Sequence, residues 1–283
     1  MSALAGYTES AFFFDCQGEA LPAVVAVPEQ PAETGVLVIV GGPQYRAGSH
    51  RQFVLLSRQV AAAGFACMRF DYRGMGDATG EARTFEQVDD DIRAAVDAFF
   101  VRQPALRRVV LWGLCDGASA ACFYAHQDDR VAGLVLLNPW VKTDAGQART
   151  MLKYYYVQRL LSLAFWKKLL SGGVSVGRSL GGLNQMVVTA RKDDEGANTP
   201  LPTRMAQSLK RAGRPFLVML SGRDYVAREF EQAVTDPAWA DVPQVRNACH
   251  MADADHTFSS AKWRDEVARQ TVNWLQALAT KSI

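Results

Sequence analysis

One stretch constrains the fold more than any other: VVLWGLCDGASAACFY, residues 109 to 124, where a run of apolar strand formers passes through Gly113-Leu114-Cys115-Asp116-Gly117 directly into a helical pattern. A strand that becomes a helix within so few residues must bend sharply. The residue at the bend is forced into strained backbone geometry, and small neighbours are needed on both sides so that strand and helix can approach. Gly113 and Gly117 satisfy that need and leave Cys115 standing clear at the apex of a G-x-nucleophile-x-G turn.

Around this turn, short β-rich apolar runs alternate with longer stretches of helical period, the pattern of crossover units on a largely parallel sheet. Strands are expected at residues 11 to 15, 21 to 27, 35 to 40, 65 to 71, 107 to 112, 131 to 137, 214 to 220 and 244 to 249. The first two, AFFFD and LPAVVAV, flank Gln17 and Gly18 and are expected to form a hairpin at one antiparallel edge. SHRQFVLLSRQVAAAG, TFEQVDDDIRAAVDAFF and KWRDEVARQTVNWLQAL place apolar residues three or four apart, so they read as sheet-covering helices. In the last, Trp263, Val267, Val272, Trp274 and Leu275 form the expected buried stripe.

Residues 141 to 202 break the alternation, with the aromatic and basic MLKYYYVQRLLSLAFWKKLL followed by SGGVSVGRSLGGLNQ and the polar RKDDEGANTP. The expected architecture is therefore an α/β core, residues 1–140 and 203–283, with an eight-stranded, mostly parallel sheet and a helical cap inserted at 141–202. Such an insertion belongs at the carboxyl ends of the strands, where ligands bind. The bland account of the cap is packing on the sheet; an apolar acyl pocket that includes Tyr155 comes next, and peripheral contact with a membrane surface last.

A net charge of +2, from 31 basic and 29 acidic residues, gives no electrostatic ground for nucleic acid as a partner. Met1 to Ser10 lacks a basic start and apolar stretch, and no window approaches the length of a spanning helix, so the expectation is a cytoplasmic protein without a transmembrane segment. The five cysteines, Cys16, Cys67, Cys115, Cys122 and Cys249, include no CxxC pair, so reduced thiols are expected, with Cys67 and Cys249 in buried strands. The histidines lack metal-ligand spacing and the glycine loops lack a phosphate-cradle pattern, so no metal and no organic cofactor is expected.

A nucleophile elbow calls for an acid and then a histidine later in the chain. Strand PFLVML ends in Ser221-Gly222-Arg223-Asp224, and ADADHTFS places His256 in a polar loop before the terminal helix. Asp224 and His256 are the expected partners of Cys115. The rivals are His250, at a strand end, and Asp144, after LVLLN, while Asp255 is a neighbour able to orient His256. The remaining histidines, His50 and His126, read as structural or surface residues. A thiol at a helix N-terminus beside an imidazole is expected to have a lowered pKa.

Stabilising the oxyanion of an acyl-transfer intermediate takes two preorganised N–H groups. Asp116 supplies one; the second is expected from Gly41-Gly42-Pro43-Gln44, where Pro43 has no N–H, leaving Gln44 backbone or side chain, or a glycine such as Gly42. Tyr45, Trp140 and Tyr155 are the candidate substrate contacts. In FDYRGMGDATG, Asp71 and Arg73 are expected to brace loops, and the GxG there is not a dinucleotide fingerprint.

Taken together, VGGPQYRAGSHRQFVLL, FDYRGMGDATG, LWGLCDGASA and the late DHTF resemble, over nearly the whole chain, the first of two hydrolase families associated with the exosortase A system of exopolysaccharide-producing Gram-negative bacteria. That resemblance implies an α/β-hydrolase fold and a bacterial cytoplasmic enzyme tied to exopolysaccharide or sorting gene clusters, without naming a substrate. A weaker likeness, confined to the elbow, is to dienelactone hydrolase, which also carries cysteine there. The resulting expectation is a cysteine-dependent acyl hydrolase or acyltransferase acting on a small-molecule activated ester, lactone or thioester. The alternative is a non-catalytic binding or accessory protein on the same fold.

Overall fold

The computed structural model describes residues 6–42, 44–141 and 199–280. Pro43, Asp144 and Tyr155 lie outside the described residues, as does nearly all of the expected cap. The chain divides into two compact units, one of Met1–Val141 with Pro202–Ile283 and one of Lys142–Leu201. The first unit holds the sheet.

Its chain opens with β1 (Tyr7–Cys16) and β2 (Glu19–Pro28), an antiparallel hairpin in register from Tyr7 opposite Pro28 to Cys16 opposite Glu19. The two-residue turn puts Gln17 and Gly18 at positive φ, 57° and 85°, the mirror-image geometry whose twist suits paired strands. Six more strands follow: β3 (Thr34–Ile39), β4 (Cys67–Phe70), β5 (Arg108–Leu114), β6 (Val131–Leu137), β7 (Phe216–Ser221) and β8 (Cys249–Met251). The sheet order is β1-β2-β4-β3-β5-β6-β7-β8. Strands β3 to β8 pair in parallel, while β2 meets β4 antiparallel, so the hairpin forms one edge.

The central strands are mostly apolar because helices cover both faces. Every residue of β3 and β4 is buried. The described helices are α1 (Gln52–Ala62), α2 (Asp89–Arg102), α3 (Asp116–Tyr124), α4 (Leu201–Ala212), α5 (Tyr225–Ala233) and α6 (Ala261–Thr280). Trp112 shows how the layers lock: its ring meets Phe53 of α1 edge-on at 5.7 Å, and its indole N–H donates to Thr271 Oγ1 of α6 at 3.3 Å. Truncating a buried side chain of this size to alanine costs about 3–5 kcal/mol.

Several expectations shift. The last strand is only Cys249–Met251, because Pro243–Asn247 forms a 3₁₀ turn in place of the expected strand. Two prolines and several polar residues across 237 to 247 favour turns over a ladder. Cys249 is consequently half-buried rather than deep in a strand, whereas Cys67 is fully buried. On α6 the buried line runs through Val267, Ala268, Thr271 and Leu275, with Trp263, Val272 and Trp274 at its half-buried margins. Trp274 still packs over the sheet, since a methyl group on Gly133 would stand 2.7 Å from its ring.

Candidate active site

The parallel strands deliver their loops to one end, and Cys115, Asp224 and His256 each stand in a loop or turn that follows a strand. Cys115 follows β5 with φ 60° and ψ −127°, a backbone state that ordinary residues avoid. Close packing explains why it is tolerated. A methyl group on Gly113 would stand 2.5 Å from the Gly117 carbonyl, and one on Gly117 would stand 2.5 Å from the Ile39 carbonyl. Only glycine at both positions lets β5, β3 and α3 meet. The Cys115 N–H donates to the Leu137 carbonyl at 2.9 Å, and its own carbonyl accepts from Ala118 at 3.0 Å and Trp140 at 3.3 Å.

Asp224 begins α5 and caps it, accepting the amide of Val226 on Oδ1 at 3.1 Å and that of Ala227 on Oδ2 at 3.3 Å. His256 lies in the loop between β8 and α6, with Nδ1 2.8 Å from Asp224 Oδ2. A carboxylate on Nδ1 favours the tautomer that leaves Nε2 unprotonated, the state of a general base. His250 is exposed on β8, 3.2 Å from Glu231, His126 is exposed after α3, and His50 stands exposed at positive φ before α1. Asp255 accepts from the Ser259 amide at 3.0 Å and from its hydroxyl, so it closes its own turn.

One residue not singled out in the sequence ties this end together. Asn138, fully buried just past β6 at φ 41°, donates from Nδ2 to Ser221 Oγ at 2.8 Å and to the His256 carbonyl at 3.0 Å, and its Oδ1 accepts the Ser221 amide at 2.9 Å. It clamps the end of β7 to the histidine loop. An asparagine directly after a buried apolar strand was the available signal, since Asn tolerates left-handed backbone and offers both a donor and an acceptor.

The loop after β3 crosses the elbow. A methyl group on Gly41 would stand 2.3 Å from Asp116 Oδ1, 2.4 Å from the Leu114 carbonyl and 2.6 Å from the Gly117 amide. Burial pushes the Asp116 carboxyl up to about 6, and the Gly42 amide of this loop opposes that rise. Gln44 turns its side-chain oxygen to the Ser49 amide at 3.2 Å and Gln52 Nε2 at 3.3 Å, fixing the loop to the start of α1. Tyr45 is exposed beside it, and Trp140 is half-buried with its backbone on the elbow. Asp71 accepts from the Arg46 amide and guanidinium and from the Asp77 amide, and Arg73 pairs with buried Asp91 at 2.8 Å, so both brace loops as expected.

The thiol pKa departs from expectation. Burial, then the charge of Asp116, push Cys115 well above its ordinary range; the Asp116 amide opposes this and Asp224 adds to it. The helix N-terminus contributes through that one amide, which is outweighed. At rest the sulfur is a thiol. Among the described residues there is no cluster of metal-ligating side chains, and no helix is long and apolar enough to cross a membrane.

A parallel sheet flanked by helices, a strained cysteine on a glycine-flanked strand-to-helix turn, and a histidine on a carboxylate beyond later strands define the α/β-hydrolase class. Within it, residues 32–215 match the family described as serine aminopeptidase, S33, and the chain belongs to that family of hydrolases. The elbow here holds cysteine where that description names serine. Quorum-quenching protein AidA of Acinetobacter baumannii (strain MDR-ZJ06) is 26% identical over 161 residues, 55% of this chain; the chain spans about half of that relative, 51% of its length. Among solved structures, Pyrococcus furiosus esterase Pf2001 is similar with a TM-score of 0.67 at 16% identity, covering 96% of this chain and 91% of that one. Est1E from Butyrivibrio proteoclasticus, solved with ferulic acid bound, gives 0.63 at 17% identity, covering 95% and 100%. Proline iminopeptidase of Mycobacterium smegmatis gives 0.59 at 12%, covering 97% and 100%. At these identities the likeness to solved structures is one of fold.

Proposed function

We propose that the protein is a cysteine-dependent acyl hydrolase or acyltransferase that cleaves an activated ester, a lactone or a thioester, with Cys115 as nucleophile, His256 as base and Asp224 as its orienter. The observation that carries this reading is the His256 to Asp224 pair at 2.8 Å in the same loop cluster as a cysteine held at φ 60°. Because Cys115 rests as a thiol, its proton passes to His256 Nε2 as sulfur attacks the substrate carbonyl. The oxyanion is received by the Asp116 amide and a donor of the loop that carries Gly42 and Gln44. His256 returns the proton to the departing oxygen or sulfur as that bond breaks, leaving a thioester acyl-enzyme. Water or another acceptor, deprotonated by His256, then releases the acyl group and regenerates the thiol.

Cysteine in place of serine narrows the substrate. Thiolate is itself a good leaving group, so a tetrahedral intermediate with a poor leaving group collapses back to reactants. Simple alkyl esters and amides are therefore poor substrates in this reading. Tyr45 and Trp140 are proposed as substrate contacts, residues 141–202 as an inserted cap, and the cytoplasm as the compartment. Intact mass spectrometry of wild type and Cys115→Ala, after brief exposure to acyl thioesters and activated aryl esters, tests the core of the proposal. An acyl increment on wild type alone is expected; none with any donor would favour a binding protein on the same fold.

A further inference from the structure

The triad leaves one buried side chain at the elbow unused. Asp116 opens α3 at 8% exposure, its carboxyl packed beneath the Gly41-Gly42 loop, and its Oδ1 accepts no hydrogen bond. Buried carboxylates are ordinarily satisfied on both oxygens, and an orphan oxygen is a costly place for charge. A protonated carboxyl removes most of that cost, because the charge is gone and the O–H becomes a donor.

The titratable groups around this carboxyl come from each packed element. Cys115 precedes it, His256 faces it from the loop before α6, and Asp224 acts on the same sulfur from the end of β7. Tyr72, buried after β4, feels both Asp116 and Cys115, with Asp71 and Asp91 beyond it. Burial dominates at Asp116 and pushes its carboxyl up to about 6, against the amides of Gly42 and Gly117, its own amide, and His256. In the other direction, the Asp116 charge is the largest influence after burial holding the Cys115 thiol protonated.

We propose that Asp116 is a positioning residue for Cys115: holding a proton it leaves the sulfur free to ionise toward His256, and having lost it, its charge keeps the sulfur a thiol. The inference rests on Cys115 being the nucleophile. The same charge opposes the developing oxyanion, since the Asp116 amide is one of its proposed donors. Asp116 thus links both halves of the proposed machinery, the sulfur and the loop crossing it, to a single proton.

The test is the alkylation rate of Cys115 by iodoacetamide, followed by intact mass with peptide mapping, between about pH 4.5 and about pH 9, in wild type and Asp116→Asn. The informative quantity is the ratio of the variant's rate to the wild-type rate. It is expected to stay near one while the wild-type carboxyl is neutral, then climb through about pH 6 to about tenfold or more. A ratio flat across the range overturns the proposal, because a purely structural effect of the substitution has no reason to titrate. Asp116→Ser removes the same charge with a smaller side chain and serves if the amide variant does not fold by circular dichroism. In the unsubstituted enzyme, carbon-13 spectra of labelled aspartate carboxyls are expected to show one group titrating at about 6, and its absence also overturns the proposal. Acyl mass increments decide the nucleophile separately, so a flat ratio in an enzyme that acylates at Cys115 sinks the role of Asp116 alone.

Discussion

Asp224 Oδ2 receives two groups at once, His256 Nδ1 at 2.8 Å and the Ala227 amide at 3.3 Å, so one carboxylate both aligns the imidazole and caps α5. The two tasks separate by substitution. Asparagine caps a helix as well as aspartate does, so Asp224→Asn is expected to stay within about 0.5 kcal/mol of wild-type stability. Its amide would donate to Nδ1 and favour the wrong tautomer, lowering the acylation rate by about 10²- to 10⁴-fold. Asp224→Ala is expected to show the same kinetic loss plus about 1 kcal/mol of destabilisation. Stopped-flow acylation beside urea denaturation measures both. An Asn variant that acylates at the wild-type rate would remove Asp224 from the triad.

Asn138 makes its claim through backbone groups. Replacing it with alanine strands the Ser221 amide and the His256 carbonyl in a buried setting, at about 1–3 kcal/mol. It also places a less suitable residue at φ 41°. Because the clamp fixes where the histidine loop sits, Asn138→Ala is expected to slow acylation by about tenfold or more under conditions where it remains folded. A variant that loses stability yet acylates at the wild-type rate would show that the clamp serves the fold alone.

Features whose determinants are local were legible in the sequence. Strands β3 to β7 are mostly apolar and mostly buried, so each shows as a block whatever the rest of the chain does. The elbow is as local: Gly113, Cys115 and Gly117 lie within one turn, and the steric need for glycine is met by atoms of the strand, the helix and β3. The clamping role of Asn138 was not legible because its partners, Ser221 and His256, are 83 and 118 residues away. The thiol was misjudged for a related reason. The helix N-terminus can be read from order along the chain, but the burial that outweighs it is a property of the packed sheet. Helices α4 and α5, on either side of β7, were not anticipated at all, since α5 is only nine residues long and α4 begins where the expected cap gives way.

Gly117 is the point where the elbow tolerates least. A methyl group there would meet the Ile39 carbonyl at 2.5 Å and the Gly41 amide at 3.0 Å, both backbone atoms of a central strand and its loop. Neither can yield without moving β3. Gly117→Ala is therefore expected to cost about 2 kcal/mol or more and to displace the loop that carries the proposed oxyanion donors. Denaturation midpoints and acylation rates should fall together. A fully stable, fully active alanine variant would contradict the close packing described for this turn.

In the unfolded chain Asp116 gives up its proton at about 3.9, the ordinary aspartate value. In the folded protein burial raises that value to about 6. Between these limits the folded state keeps a proton that the unfolded state has lost, so stability falls as pH rises, and the penalty is complete above the folded value. The contribution is thus present below about pH 4 and absent above about pH 6 to 7. The Asp116→Asn variant has no proton to lose at this position and escapes the penalty. Urea denaturation at a series of pH values is expected to find the two proteins similar near pH 4 and the variant more stable by about 3 kcal/mol at neutral pH. A stability difference that does not vary with pH would mean that Asp116 is not buried as a charge. If the difference does vary, it should level off in the pH range where the Cys115 alkylation ratio climbs, because both then report the folded-state proton on the same carboxyl.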